Sequence, residues 1–251
     1  MSHSVISVVT PTLNAERYIG ECLASVSRQG TGSIEHLVVD GGSTDATEHL
    51  VRATSAEWIR CPGQKQTAAI NEGIRRASGD IVAWLNADDL YVPGSLAFVS
   101  ELFVVDGTLD VVYGDCDVIG ADGKLLSRYR PGPYDFSRLL RRGNSIGQPA
   151  VFLRRRVFDR IGYLDESLEF GMDYDLWLRL RSLRVRYVDR VLAAFRWHEA
   201  SKTARNRRAN WQELMFIVRR YGGGWTPHLA WAFMRAHVTS GRRRAAELGR
   251  L

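Results

Sequence analysis

Four polar clusters in this 251-residue chain combine residue types that could do chemistry. Pro11-Thr12-Leu13-Asn14, Asp40-Gly41-Gly42-Ser43 and Asn86-Ala87-Asp88-Asp89 each follow a short apolar run. Gly171-Met172-Asp173-Tyr174-Asp175 lies far downstream, and His198 further still. Adjacent carboxylates such as Asp88 and Asp89 repel unless a cation or hydrogen-bond donors compensate. Hard oxygen ligands in this number suit Mg²⁺ or Mn²⁺, which keep positions open for substrate phosphates. The acid pair therefore reads as a divalent cation holding a diphosphate, set against the plainer reading of a capped loop. Asp40 alone reads equally as a turn or cap residue. Asp173 alone reads as an acid favoured by a helix N-terminus. A lone histidine such as His198 is more often packed or on the surface than a ligand.

The elements that must position these residues can be read from periodicity. Residues 5–10, 34–39 and 81–85 read as short, mostly apolar strands, and a further strand is expected at 57–60. Between them lie helical patterns at 15–28, from 43 or 44 to about 54, and 65–77. Pro93 suits the first residue of a helix over 93–105. Such alternation predicts an α/β fold with a mainly parallel sheet covered on both faces. Ligands of such sheets bind beyond the carboxyl ends of the strands, where the first three clusters stand. Further on, 110–130 reads as a hairpin about Ala121-Asp122-Gly123, 131–147 as irregular, and 149–153 as a strand. Residues 173–183 read as a helix, 185–188 and 191–197 as strand pieces, and the rest as two basic helices broken at 222–227.

Composition narrows the class. No run approaches the ~18 apolar residues that span a bilayer. The N-terminus has no basic region followed by an apolar stretch, so no secretory signal is expected. Cys22, Cys61 and Cys116 are too few for a disulfide framework or a four-ligand zinc site. A soluble protein of a reducing cytoplasm is expected. The basic balance is confined to the end of the chain. Residues 196–251 hold twelve Lys/Arg against three Asp/Glu, a net +9, and residues 1–195 hold twenty-two against twenty-five, a net −3. Nucleic-acid binding would call for a basic body as well and is not expected. Arginines mixed with Trp211, Phe216, Trp225, Trp231 and Phe233 fit a peripheral contact with anionic lipid, or a helical extension packed on the body. No Walker A, Gly-x-Gly-x-x-Gly, Gly-x-Ser-x-Gly or His-Glu-x-x-His sequence occurs.

Six segments then occur in a telling order: TPTLN (10–14), VVDGGSTD (38–45), GQKQTAAINEGIRRASGDIVAWLNADDLY (63–91), QPAVFLRRRVFDRIGYLDESL (148–168), GMDYDLWLRL (171–180) and FRWHEASKT (195–203). Together they resemble family 2 glycosyltransferases across residues 4–205. The resemblance implies a GT-A fold over 1–202, with a nucleotide-binding part to about 115 and an acceptor part over 116–202, followed by a basic helical tail at 203–251. It implies a metal-dependent, inverting transfer of a sugar from a UDP- or GDP-sugar to a glycan or lipid-linked acceptor, in bacterial surface polysaccharide or glycolipid assembly. Mn²⁺ or Mg²⁺ would be the cofactor.

Site residues follow from the same resemblance. Pro11, Thr12 and Leu13 match the segment along the nucleoside, and Asp40 matches the acid that reads the base. Gln64 and Asn71 fall in a stretch bordering the nucleoside. Asn86-Ala87-Asp88 occupies the Asp-x-Asp position, with Asn in place of the first acid. Asp88 is then the expected metal or ribose acid, with Asp89 as the alternative ligand. His198 matches a contact to the metal or diphosphate, Gln148 lies at the acceptor cleft, and Asp173 matches the general base. Met172 stands where many relatives have an acid. Two rival functions stay in view: a sugar-phosphate nucleotidyltransferase, which would need a Gly-rich basic loop after the first strand, and a non-catalytic nucleotide-sugar binding subunit.

Overall fold

The computed structural model describes residues 5–30, 34–202 and 206–234. The first half alternates strand and helix: β1 (Ile6–Thr12), α1 (Ile19–Ser27), β2 (Ile34–Asp40), α2 (Thr47–Arg52), β3 (Glu57–Arg60), α3 (Gln66–Arg76), β4 (Ile81–Trp84), β5 (Leu90–Tyr91) and α4 (Ser95–Val105). The second half runs β6 (Val111–Ile119), β7 (Leu125–Tyr129), α5 (Phe136–Arg142), β8 (Val151–Arg154), α6 (Arg156–Ile161), α7 (Met172–Arg179), β9 (Val185–Arg196) and α8 (Arg207–Arg220). A further helical stretch covers 227–234.

Among the described residues the strands form one sheet, ordered β3-β2-β1-β4-β8-β6-β9-β5, with β7 paired to β6. The β3-β2-β1-β4 half is parallel throughout. β1 and β4 are buried on both faces, which is why they read as mostly apolar runs. Beyond β4 the sheet is mixed. β8 runs antiparallel to β4 and β6, β9 runs parallel to β6, and β5 runs antiparallel to β9. The α/β expectation therefore holds, and the parallel character belongs to the β1–β4 half. Antiparallel neighbours need no crossover helix, so the downstream half can be built from shorter connections.

Local differences have local causes. Pro93 does not open α4, because Gly94 sits in the left-handed region with φ 76°, and the helix starts at Ser95. The stretch read as irregular contains α5, capped by Asp135, whose carboxylate accepts from Arg138 N at 2.9 Å. The two downstream strand pieces are one strand. Their interruption is a bulge: Gly114 pairs Val188, yet Asp115 pairs Val191.

The basic extension is part of the body where it is described. Met215, Ile217, Val218 and Leu229 are buried in the same core cluster as Leu139, Met172, Tyr174 and Trp177. Phe216, Trp225, Trp231 and Met234 remain exposed. Residues 203–205 and 235–251 of the expected tail lie outside the described residues. Among those described, no helix is long and apolar enough to cross a membrane.

Candidate active site

β1, β2 and β4 end side by side, which brings three distant loops to one sheet edge. Thr12 is the register partner of Asp40, and Gly41 N donates to Thr12 O at 2.9 Å. The buried Asp40 carboxylate accepts from Gly42 N at 2.9 Å and from Ser43 N and Oγ. It thus caps its own turn, as the plainer reading expected. Pro11 and Thr12 are buried, whereas Leu13 is 59% exposed on the edge. Thr12 Oγ1 is buried with no hydrogen-bond partner among the described residues. Gln64 is exposed beside the Gly41 turn.

Asn71, expected at the nucleoside border, is engaged by other parts of the chain. It is 1% exposed, and its amide is satisfied by the 164–166 segment: Nδ2 donates to Leu164 O and Glu166 Oε1 at 2.9 Å, and Oδ1 accepts from Leu164 N. Asn71 is a tether between α3 and that segment. No donor or acceptor of its side chain is aimed at the sheet edge.

After β4 the paired acids sit in different surroundings. Asp89 is wholly buried; Oδ1 accepts from Arg196 N at 2.8 Å and Oδ2 from Asn86 Nδ2 at 3.0 Å. Burial, with the neighbouring Asp88 charge, pushes Asp89 well above the usual carboxylate range. Of the two expected ligands, Asp89 is thus enclosed as a buried acceptor. Asp88 keeps its side chain 30% exposed, and its Oδ2 lies 2.9 Å from His198 Nε2. Arg196 is buried too. Its guanidinium donates to Asp88 O and Glu21 Oε2 and lies 4.7 Å from the Tyr18 ring centroid. It braces the Asp88 loop against α1 from behind.

Asn86 is held by three neighbours. Gln66 Nε2 donates to its Oδ1 at 2.9 Å, while its Nδ2 reaches Asp89 and Gln148 Oε1. Gln148 in turn donates to Trp84 O at 2.6 Å. These residues floor a cavity of about 490 Å³ lined also by Asp88, Asn144, Asp173, Lys202 and Trp211. Asp88, Asn86, Gln148 and Asp173 are therefore gathered at one cavity. Asp40 and the Pro11–Leu13 segment are not in its lining; they stand along the same sheet edge, beyond β1.

Asp173 sits in the first turn of α7, half-buried. Asn144 Nδ2 donates to its Oδ2 at 2.8 Å and Tyr174 N to its Oδ1 at 2.7 Å. Burial outweighs these donors and pushes its pKa up to about 6. A carboxylate of that basicity, lining the same cavity as Asp88, can take a proton from a bound hydroxyl near neutral pH.

The sequence profile described as "Glycosyl transferase family 2" matches residues 7–162, more than half of the chain. The chain belongs to family 2 of the glycosyltransferases. A PGL/p-HBAD biosynthesis glycosyltransferase of Mycobacterium tuberculosis is 32% identical over 205 residues, covering 78% of each chain. An uncharacterised glycosyltransferase of Rickettsia typhi is 30% identical over 211 residues, 79% of this chain and 66% of that one. Two solved structures share the fold. S. aureus TarS 1–349 in complex with UDP-GlcNAc superposes with a TM-score of 0.68 at 18% identity, covering 88% of this chain and 68% of that one. Mannosyltransferase PcManGT from Pyrobaculum calidifontis, in complex with GDP-Man and Mn²⁺, gives 0.64 at 21%, covering 91% and 67%.

This family 2 glycosyltransferase thus has the GT-A type of fold that its sequence resembled. Four of its cavity residues were not singled out in the sequence. Gln66 is one, two positions from the expected Gln64; its place opening α3 was the available signal. Asn144 had no periodic or motif signal, and Lys202 lay unremarked within the 195–203 segment. Trp211 was read only as part of the basic tail.

Proposed function

We propose that the chain moves a sugar from a UDP- or GDP-linked donor to a hydroxyl acceptor, inverting the anomeric carbon, with Asp173 as general base. The observation that carries this reading is one cavity lined by both Asp88, which is paired to His198, and Asp173. Asp173 removes the hydroxyl proton as the acceptor oxygen attacks the anomeric carbon from the face opposite the diphosphate. The bond to the diphosphate oxygen breaks, and the nucleoside diphosphate leaves. Inversion is the outcome of a single displacement of this kind.

The donor set at Asp88 and His198 fits a divalent cation. A carboxylate and an imidazole suit Mn²⁺, and Mg²⁺ is compatible through the carboxylate. Among the described residues no group of three His, Cys, Asp or Glu side chains could hold an ion unaided. When bound, the cation would offset charge on the departing diphosphate.

The unpartnered Thr12 Oγ1 and the exposed Leu13 support a nucleoside lying along the β1–β2 edge, flanked by Pro11 and Gln64. Asp40 retains lone pairs for an N–H, which uracil and guanine both offer. Trp211, Leu214 and Leu229 on the cavity wall support a lipid-linked or otherwise apolar acceptor, with Gln148 on its floor. Exposed Trp225, Trp231 and Met234, on an extension that also carries Arg208, Arg219 and Arg220, support peripheral attachment to the inner membrane face during surface glycan assembly.

A panel of UDP- and GDP-sugars, assayed with Mn²⁺, with Mg²⁺ and with chelator, tests the reading. Metal-dependent release of UDP or GDP is expected. Nucleotide binding without turnover of any donor would favour a binding subunit instead.

A further inference from the structure

Three consecutive backbone N–H groups precede the base. Those of Glu169, Phe170 and Gly171 point at one carboxylate, Glu213 of α8, at 2.6, 2.5 and 2.6 Å. They belong to the turn that leads into α7, two residues before Asp173. Such donors lack partners within the helix and need an outside acceptor. A carboxylate meeting three of them makes charge-assisted bonds, stronger than neutral ones. A second contact locks the same turn from the same helix. A Cβ on Gly171 would stand 2.5 Å from Ile217 Cδ1, so α8 lies directly against that backbone.

We infer that Glu213 is a positioning residue for the base: by gripping the 169–171 backbone it sets where Asp173 meets the cavity. The inference rests on the reading of Asp173 as base. Glu213 touches neither Asp173 nor the reacting atoms. It acts through the turn, and secondarily through its charge. The charged and titratable groups around Asp173 are Glu213 from α8, Tyr129 from β7, Arg142 at the end of α5, and Glu169 and Lys202 on the cavity wall. Glu213 adds a negative field to the burial that already raises Asp173.

The test uses Glu213→Gln and Glu213→Asp in the full chain. The carboxyl titration of Asp173 is followed by ¹³C NMR, assigned with Asp173→Asn, alongside amide exchange at residues 169–171. Glu213→Gln removes the charge, so the Asp173 midpoint should fall. Exchange at 169–171 should rise by about tenfold or more, and kcat should drop by a similar factor with donor KM little changed. Glu213→Asp keeps the charge but is shorter. It should loosen the amides and lower kcat while the midpoint stays near that of the wild type, and it carries the test if Glu213→Gln does not fold. Unchanged exchange at 169–171, or wild-type kcat with the amides loosened, would overturn the inference. Midpoint and exchange are read without turnover. Failure of Asp173 as base would instead show as transfer surviving in Asp173→Asn.

Discussion

Asp88 Oδ2 and His198 Nε2 are 2.9 Å apart although 110 residues separate them in the chain. The contact joins the loop after β4 to the residues just beyond β9, and Arg196 fixes both by donating to Asp88 O while its own N–H reaches Asp89. The pair is therefore built by the sheet, and either member is expected to fail without the other.

Asp88→Ala and His198→Ala should each weaken binding of UDP or GDP in the presence of Mn²⁺ by roughly tenfold or more, about 1.4 kcal/mol. The double variant should lose little beyond either single change, because the two act on one site. Calorimetry with and without Mn²⁺ checks this. Unchanged affinity in Asp88→Ala would remove Asp88 from the donor site.

Asp89→Ala should destabilise the fold rather than act on the metal. It leaves Arg196 N–H and one Asn86 donor bond without their acceptor in a closed interior, a loss of about 1–3 kcal/mol per group. Thermal unfolding should show a clear fall in Tm for Asp89→Ala and almost none for the more exposed Asp88→Ala. Equal Tm values would count against the structural assignment.

Asp173→Asn should abolish transfer while leaving UDP or GDP affinity nearly intact. Wild-type kcat should rise with pH through about 6, as Asp173 loses its proton, and level off above. The stability effect has the opposite sense. A carboxyl whose pKa is raised on folding binds more protons folded than unfolded, so the folded state loses stability as pH climbs from about 4 to 6. At pH 7.5 the Asn variant should therefore be more stable than wild type by about 1–2 kcal/mol, and at pH 4 the difference should vanish. Denaturant melts at both pH values read this directly.

Gly171→Ala should be destabilising by about 1–3 kcal/mol, because the added Cβ meets Ile217 Cδ1. Ile217→Val removes that methyl and should restore part of the loss when combined with it. Additive losses in the double variant would show that the contact is not the cause.

Asn71→Ala should lower Tm and leave nucleotide affinity unaltered, since its amide serves only the 164–166 segment. A fall in UDP or GDP binding without loss of stability would return Asn71 to the nucleoside site.

Much of this molecule was legible in the chain itself. Apolar runs buried on both faces announce themselves without partners, so β1, β2 and β4 and the polar residues at their carboxyl ends could be found by pattern. The roles expected of Asp40, Asp88, Asp173 and His198 came from the family resemblance rather than from pattern. Tertiary structure alone decided what each acid touches. Asp88 and Asp89 are neighbours of like chemistry, and only the closing of β9 over one of them makes Asp89 a buried acceptor and leaves Asp88 open. The same holds for Gln66 over Gln64, for Asn71 as a tether, and for Glu213, whose three backbone partners lie more than forty residues upstream. Sequence pattern reports local periodicity and residue type, whereas burial and the direction of a side chain depend on which distant segment packs against it.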